Sequence, residues 1–254
     1  MDGEDDRTVD PVAGADQPPA YRILADRIAD EILSGKFGLG EQLPPEVSLA
    51  ERFGVHRSTV REGIRLLEET GMLRRKSQKR LVVSVPDGNH LAGRTVQAFI
   101  MRKITVRDLY EANLALDPIL ARLAATSASS AQIARLHRNV EETRAAREDH
   151  PRLAELDAEF HLLVCEATGN EIFQTMRQPL HDLFMPMVSE LIDSIDTSGR
   201  MLEAHEKILT AIENRNGEEA EKWARRHMED FKRGYLKAAL DFDSRVAYER
   251  ALPT

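Results

Sequence analysis

Apolar residues recur at helical spacing through most of this chain, and strand-like alternation is confined to one short segment. Val60, Ile64 and Leu67 repeat at i, i+4 and i+7, which predicts the buried stripe of a helix running from residue 57 to about residue 70. A shorter helix over residues 46–53 precedes it, and a tight turn joins the two. The pair is predicted to be a helix-turn-helix whose second helix is the recognition helix.

Three arginines, Arg57, Arg61 and Arg65, form a stripe of their own about a third of a turn round the second helix from the apolar one. Arginine pairs bidentately with guanine or with phosphate, so this helix suits the DNA major groove. Ser58 and Thr59 fall in its first turn, where hydroxyls and free backbone N–H groups hold phosphate oxygens. The alternative interpretation is a surface helix whose arginines are only solvated.

The segment that follows and the local charge favour DNA binding. Residues 72–76 and 80–85, joined by residues 77–79, have the pattern of a two-stranded wing. Between residues 52 and 80 there are nine Lys and Arg residues and three acids, in a chain whose formal net charge is −8. A basic patch on an acidic chain indicates a local nucleic-acid footprint.

Beyond residue 92 the pattern is helical almost to the end, and long amphipathic helices with short connections predict an antiparallel bundle. Pro179 and Pro186 are expected to kink or split the fifth of these helices. The helices are expected over residues 94–102, 105–127, 130–149, 151–168, 170–195, 199–214 and 218–242. The fold class is therefore mainly α, with an N-terminal winged helix-turn-helix and a C-terminal antiparallel all-helical bundle.

The domain boundaries follow from composition. Six acids and one Arg in residues 1–19 predict a disordered acidic leader. We expect a DNA-binding domain over residues 20–86, a linker over 87–92, a helical effector-binding, metal-binding and dimerisation domain over 93–244 and a tail over 245–254.

Several protein classes are disfavoured. No apolar run approaches the roughly 18 residues of a membrane span. The acidic start lacks the features of a secretory signal. Cys165 is the single cysteine, which excludes an internal disulfide framework and suits a reducing compartment. We expect a cytoplasmic protein with no membrane partner, in which Cys165 is an inert, partly buried thiol.

Residues 21–85 resemble the winged helix of the GntR family of bacterial transcription regulators. The matching positions, in order, are Ile32, Gly35, Gly40, Leu43, Pro44, Glu46, Leu49, Ala50, Gly54, Val55, Arg57, Val60, Arg61, Glu62, Leu67, Gly71, Met72 and Leu73. The second domain is similar to the all-helical FCD domain of the FadR-type subfamily. Its matching positions are Asp157 to His161, then Gly169 and Asn170, then His205 and His227.

The resemblance implies a homodimeric regulator that binds a pseudo-palindromic operator in double-stranded DNA and senses a small molecule, often a carboxylate and often through a divalent metal. Carried over by position, the DNA contacts fall on Arg57, Ser58, Thr59 and Arg61, with His56 at the turn. The chain departs from the family at His56, where a small hydroxyl residue is usual, and at Val47, where an Arg is common.

The wing tip also departs from the family, because it lacks the usual glycines. We expect the wing to bind phosphate through Lys79 and Arg80, and Arg65 to extend the contacts of the recognition helix.

Four polar residues form the candidate metal site. Asp157 and His161 are four residues apart and so project from one face of a helix. His205 lies in the apolar arc of its helix, and His227 shares a face with apolar residues of another. Three imidazoles and a carboxylate inside one bundle favour a divalent ion, Zn²⁺, Ni²⁺ or Mn²⁺. Each histidine taken alone is more often a hydrogen-bonded core residue, and it is the set of four that favours a metal.

Asn113 stands where many relatives carry an Arg that would bind an effector carboxylate. Asn can donate a hydrogen bond but cannot form a bidentate ion pair. Asn113 is therefore either an effector contact or a plain interhelical hydrogen bond, and the sequence does not separate the two.

The sequence thus predicts a DNA-binding regulator of transcription and not an enzyme. We expect this regulator to act as a repressor. The alternatives are a metal-dependent, hydrolase-like enzyme with an appended DNA-binding domain and a regulator whose metal is purely structural. The enzyme is disfavoured because the chain lacks an HExxH motif, and because Glu159 lies about 200° round the helix from Asp157.

Overall fold

The computed structural model describes residues 18–77, 80–85 and 88–246. Most of the expected acidic leader and most of the expected tail lie outside these residues. The chain divides into two compact units between His90 and Leu91. Among the described helices, none has both the length and the hydrophobicity that a bilayer span requires.

The first unit is a winged helix-turn-helix. It consists of α1 (Ala20–Leu33), α2 (Glu46–Phe53), α3 (Arg57–Glu69), β1 (Leu73–Ser77) and β2 (Arg80–Val83). The strands are antiparallel, with Leu73 opposite Val83 and Arg75 opposite Leu81. The apolar stripe predicted for α3 is buried, because Val60, Ile64 and Leu67 pack into the core of this unit.

Helices α1 and α3 cross closely at Gly63. A Cβ atom at this position would lie 3.0 Å from the backbone oxygen of Tyr21 and 3.3 Å from a methyl group of Leu24. The glycine therefore permits a close approach of the two helices that a Cβ atom would crowd.

The second unit is an all-helical bundle, as predicted. Its helices are α4 (Gly88–Met101), α5 (Val106–Ser127), α6 (Ser130–Ala145), α7 (His150–Ala167), α8 (Glu171–Ser194), α9 (Ser198–Glu213) and α10 (Gly217–Lys237). Helix α5 packs against α7, α8, α9 and α10 and so lies at the centre. Cys165 is buried in α7, and burial raises the pKa of its thiol to about 11.

Three expectations about the bundle need correction. Helix α4 begins at Gly88, so most of the segment expected as a linker is helical. Helix α8 continues through Pro179 and Pro186 and is not split, so of the two expected effects only a kink stays a prediction. Helix α10 ends at Lys237 instead of 242, because Ala239 has a φ of +54° and the chain then turns to pack Phe242 against Tyr110.

Candidate functional site

The turn before the recognition helix α3 is shaped by Gly54 and His56. Gly54 follows α2 with a φ of +65°, a left-handed conformation that glycine adopts without strain. His56 is the N-cap of α3, where its Nδ1 accepts from the backbone N–H of Ser58 at 3.4 Å and lies 2.8 Å from Ser58 Oγ. The imidazole therefore caps the helix at a position where a small hydroxyl side chain usually does so.

The arginine stripe of α3 is on the surface, and its members differ in their partners. Arg61 donates from Nε to Glu46 Oε2 at 2.9 Å, and Arg65 Nε lies 3.3 Å from Glu69 Oε1. Arg57 is exposed and makes no ion pair within the described part of the chain. The stripe therefore presents one unpaired guanidinium and two that are partly neutralised.

The other residues expected to contact DNA lie around this stripe. Ser58 is exposed and Thr59 is half-buried in the first turn of α3. Arg80 is exposed at the start of β2, and Lys79 lies outside the described residues. Val47, where the family commonly has an Arg, is also exposed.

In the second unit, the structure brings together Asp157, His161, His205 and His227, here called the His/Asp cluster. One ligand atom from each side chain can be chosen so that all four lie within 4.8 Å of one another. The Oδ1 atom of Asp157 lies 3.3 Å from His205 Nε2 and 3.5 Å from His227 Nε2. The Nε2 atoms of His161 and His227 face each other at 3.2 Å.

Within the described part of the chain, several polar atoms of the cluster are buried and have close neighbours but no hydrogen bond of good geometry. They are Asp157 Oδ1 and both ring nitrogens of His205, a residue with no exposed surface. The His205 ring stacks on Phe160 at a centroid distance of 3.8 Å, which fixes its plane. Unpaired buried donors and acceptors are costly, and a divalent ion held by nitrogen and oxygen ligands would satisfy them. The donor set therefore fits a divalent metal.

The protonation of the cluster follows from burial, from its own carboxylate Asp157 and from a neighbouring carboxylate, Asp117. Burial is the largest influence on His205 and lowers its pKa to about 4, so this ring is neutral at physiological pH. Burial alone would raise the pKa of Asp157, but contacts with the surrounding histidines hold it well below its usual value. At His161, burial is outweighed by the charge and hydrogen bond of Asp117, and the pKa is raised.

Sequence reasoning missed Asp117 and Arg177, which lie directly behind the cluster. Asp117 Oδ2 is 3.0 Å from His161 Nδ1, and Asp117 Oδ1 is 3.3 Å from Arg177 Nε. Arg177 is 2% exposed, and its Nη1 has no hydrogen-bond partner. The one available signal was the position of Asp117 on the apolar face of α5, one turn after Asn113. Nothing in the sequence around Arg177 marks it as buried.

A cavity of about 350 Å³ extends from the cluster to the surface, between α7, α8, α9 and α10. Asp157, His161 and His227 line its inner end, whereas His205 lies behind them and is not among its lining residues. The walls are mainly apolar, and the exposed Arg200 and Arg233 line its outer end.

Asn113 is fully buried and donates from Nδ2 to the backbone oxygen of Leu109, in its own helix, at 2.7 Å. Its Oδ1 has no partner, and it is not among the residues that line the cavity. The bond is thus within one helix rather than between helices, and an effector contact at Asn113 stays a prediction.

Two family profiles match the chain. The profile described as "Bacterial regulatory proteins, gntR family" matches residues 20–83, and the profile "FCD domain" matches residues 108–230. The Glc operon transcriptional activator of Escherichia coli K12 is 28% identical over 228 residues, which is 85% of this chain and 88% of that protein. The HTH-type transcriptional regulator LutR of Bacillus subtilis is 27% identical, over 81% of this chain and 98% of its own length.

Among solved structures, one described as Streptococcus agalactiae GntR is similar, with a TM-score of 0.64 and 28% identity. The match covers 84% of this chain and 99% of that one. The relatives named here are described as regulators of transcription.

Proposed function

Because this chain belongs to the GntR family of bacterial regulatory proteins and carries an FCD domain, we propose that it is a repressor that binds a pseudo-palindromic operator as a homodimer. A small organic acid, bound beside a divalent metal in the helical unit, would release it from DNA. The family makes the chain a DNA-binding transcription regulator with an effector-binding domain. The repressor role, the dimer and the metal-dependent response are our proposals.

The proposed DNA contacts are supported by exposure and charge. Arg57, at the start of α3, has no ion-pair partner among the described residues, and the part of the Arg61 guanidinium that Glu46 does not occupy is free to bind a base or phosphate. The proposed contact set is His56, Arg57, Ser58, Thr59, Arg61, Arg65, Lys79 and Arg80. Two such helices, one from each subunit, would enter successive major grooves about one DNA turn apart.

The observation that carries the sensing proposal is the His/Asp cluster at the inner end of an open cavity. We propose that Asp157, His161, His205 and His227 hold a divalent ion, either Zn²⁺, Ni²⁺ or Mn²⁺. When bound, that ion would offer free coordination positions to an oxygen of the effector. Effector binding would then favour one arrangement of the bundle helices over another, which is what allosteric control of operator affinity requires.

Operator affinity measured with and without metal and acids tests this function. DNA fragments selected from a random library by the metal-loaded protein would serve as operators. We expect candidate organic acids to weaken binding only when metal is present. The variant His205→Ala should still bind DNA but lose the response, whereas His137→Ala, a surface histidine paired with Glu213, should keep it. Unchanged operator affinity under every condition would defeat the sensing proposal.

Other outcomes identify the competing functions. Sustained turnover of an ester or amide by the zinc-loaded or manganese-loaded protein would favour a hydrolase-like enzyme. Metal-dependent melting without any effector response would favour a purely structural ion. A monomer at concentrations that saturate operator DNA would contradict the dimer.

A further inference from the structure

The composition of the cavity wall indicates which class of organic acid the protein takes. Seven buried apolar side chains line the cavity between the His/Asp cluster and the surface. They are Phe184, Val188, Leu191 and Ile192 of α8, Met201 of α9, and Met228 and Phe231 of α10. Each is no more than 8% exposed, so the walls are fixed parts of the bundle core.

Polar groups are concentrated at the two ends of the cavity. Asp157, His161 and His227 lie at the inner end. At the outer end, Arg200 donates to Asp230 Oδ1 at 2.9 Å, and Arg233 donates to the same carboxylate oxygen. Two arginines sharing one aspartate leave a net positive charge at the opening, which favours the approach of an anion.

Few polar groups lie between these ends. Thr197 Oγ1 is buried and has no hydrogen-bond partner among the described residues. The neighbouring Asp196 is exposed, and its Oδ1 already accepts from the backbone N–H and the hydroxyl of Ser198. A polyhydroxylated acid would have to place most of its hydroxyls against hydrocarbon, where each unpaired hydroxyl is costly. An unsubstituted aliphatic or aromatic body would gain from the same surface.

We infer that the effector is a monocarboxylic acid with an apolar body, aliphatic or aryl, and not a sugar acid or a short hydroxy acid. This inference rests on the proposed function, because it requires the acid head to lie at the His/Asp cluster. A cavity of about 350 Å³ is near the lower end of the range for small-molecule sites, which suits a body of moderate size.

Calorimetric titration of the zinc-loaded full chain tests the inference. The probes are hexanoate and 3-phenylpropanoate, compared with lactate and gluconate. We expect the first pair to bind more tightly, by roughly tenfold for every two methylenes buried, and with a negative heat-capacity change. Because the heat-capacity change is measured on the wild-type protein, misfolding of a variant cannot affect this test.

A matched pair of variants tests the wall directly. Val188→Thr adds a hydroxyl to the cavity wall at nearly constant shape and should weaken binding of 3-phenylpropanoate about five- to tenfold. Val140→Thr makes the same change in α6, at a buried position that is not among the lining residues, and should leave binding unchanged. Equal losses in the two variants would overturn the assignment of the wall.

The possible outcomes distinguish the inference about the acid from the proposed metal-dependent sensing on which it rests. Tighter binding of gluconate or lactate would overturn the apolar-body inference and leave metal-dependent sensing intact. If the zinc-loaded chain bound no acid of either class, the sensing proposal would fail and the inference with it.

Discussion

The carboxylate of Asp117 lies 3.0 Å, from Oδ2 to Nδ1, from the imidazole of His161. This contact occupies the Nδ1 side of the ring and leaves Nε2 facing His227 at 3.2 Å. A carboxylate in that position sets the tautomer and orientation of a histidine that could bind metal and makes it more basic. Arg177 balances the buried charge of Asp117 and, against the effect of burial, helps to lower its pKa.

We expect substitutions of Asp117 to weaken metal binding although this residue is not in the His/Asp cluster. Asp117→Asn keeps an oxygen acceptor but loses the charge, and Asp117→Ala loses both. Zinc affinity at pH 8, measured by competition with a chromophoric chelator, should therefore fall in that order, by roughly 10- to 100-fold for the alanine variant. Asp182→Asn, a half-buried carboxylate bonded to Gln178, is the matched control and should bind as the wild type does. Wild-type affinity in Asp117→Ala would contradict this role.

Metal affinity should depend on pH through His161. Its pKa is raised, so protons compete for its nitrogen as the pH falls through that value, and apparent affinity decreases with decreasing pH. His205 has a pKa of about 4 and contributes only at much lower pH. Asp117→Asn removes the charge that raises the pKa of His161, so the midpoint of the loss should move to lower pH. An unchanged midpoint would show that another group controls the titration.

The buried ion pair predicts a large loss of stability when one partner is removed. Arg177→Met should lower the free energy of unfolding of the helical unit by about 3–5 kcal/mol, because the buried charge of Asp117 loses its guanidinium partner and keeps only the contact with His161. Trp223 is the single tryptophan and lies in α10, so its fluorescence in urea reports on this unit.

Two further variants complete that experiment. The double variant Arg177→Met with Asp117→Asn should recover part of the loss, and the exposed Arg138→Met should cost little. Independent, additive effects of the two buried substitutions would mean that the pair does not interact.

The arginines of the recognition helix give a prediction about DNA binding. Arg57→Ala and Arg61→Ala should each weaken the free energy of operator binding by roughly 1–3 kcal/mol if the residue contacts a base. A residue that holds phosphate would instead weaken binding to all sequences alike and reduce the salt dependence. Arg138→Ala makes the same charge change in the helical unit and should have little effect. Wild-type affinity in both α3 variants would remove the recognition-helix assignment.

The close approach of α1 and α3 gives a prediction about folding. Gly→Ala inside a helix usually stabilises by about 1 kcal/mol, and Gly93→Ala in α4 should do so because an added methyl meets nothing within 4 Å. Gly63→Ala should instead destabilise the winged helix by about 1–3 kcal/mol, since its methyl would meet the fixed backbone of Tyr21. Hydrogen exchange in residues 20–83 would detect the loss in Gly63→Ala, and urea unfolding followed by Trp223 fluorescence should match the wild type for that variant. For Gly93→Ala the same fluorescence signal should shift to higher urea. Equal protection in the two variants would contradict the argument.

The sequence predicted the helices well because their signal is local. The stripe of Val60, Ile64 and Leu67 follows from the helical repeat alone. Helix ends were less predictable, since they depend on distant contacts. Helix α10 stops at Lys237, and the chain beyond it turns so that Phe242 meets Tyr110 from the start of the bundle.

The same distinction applies to the candidate site. The sequence indicates the members of the His/Asp cluster by their residue type, because buried histidines beside a carboxylate are uncommon. The resemblance to the FCD domain supports the same four residues. Asp117 and Arg177 are 60 residues apart, and only the packing of α5 against α8 brings their charges together. In the sequence, Asp117 is marked only by its position on an apolar helix face, and Arg177 looks like an ordinary surface residue.

The full burial of His205 has a kinetic consequence. The cavity reaches three members of the cluster, and the fourth is behind them, stacked on Phe160. An ion bound by all four residues would therefore exchange with solvent along the same passage that admits the acid. If an acid filled that passage, it would hold such an ion beneath it, and a chelator should then remove the ion far more slowly.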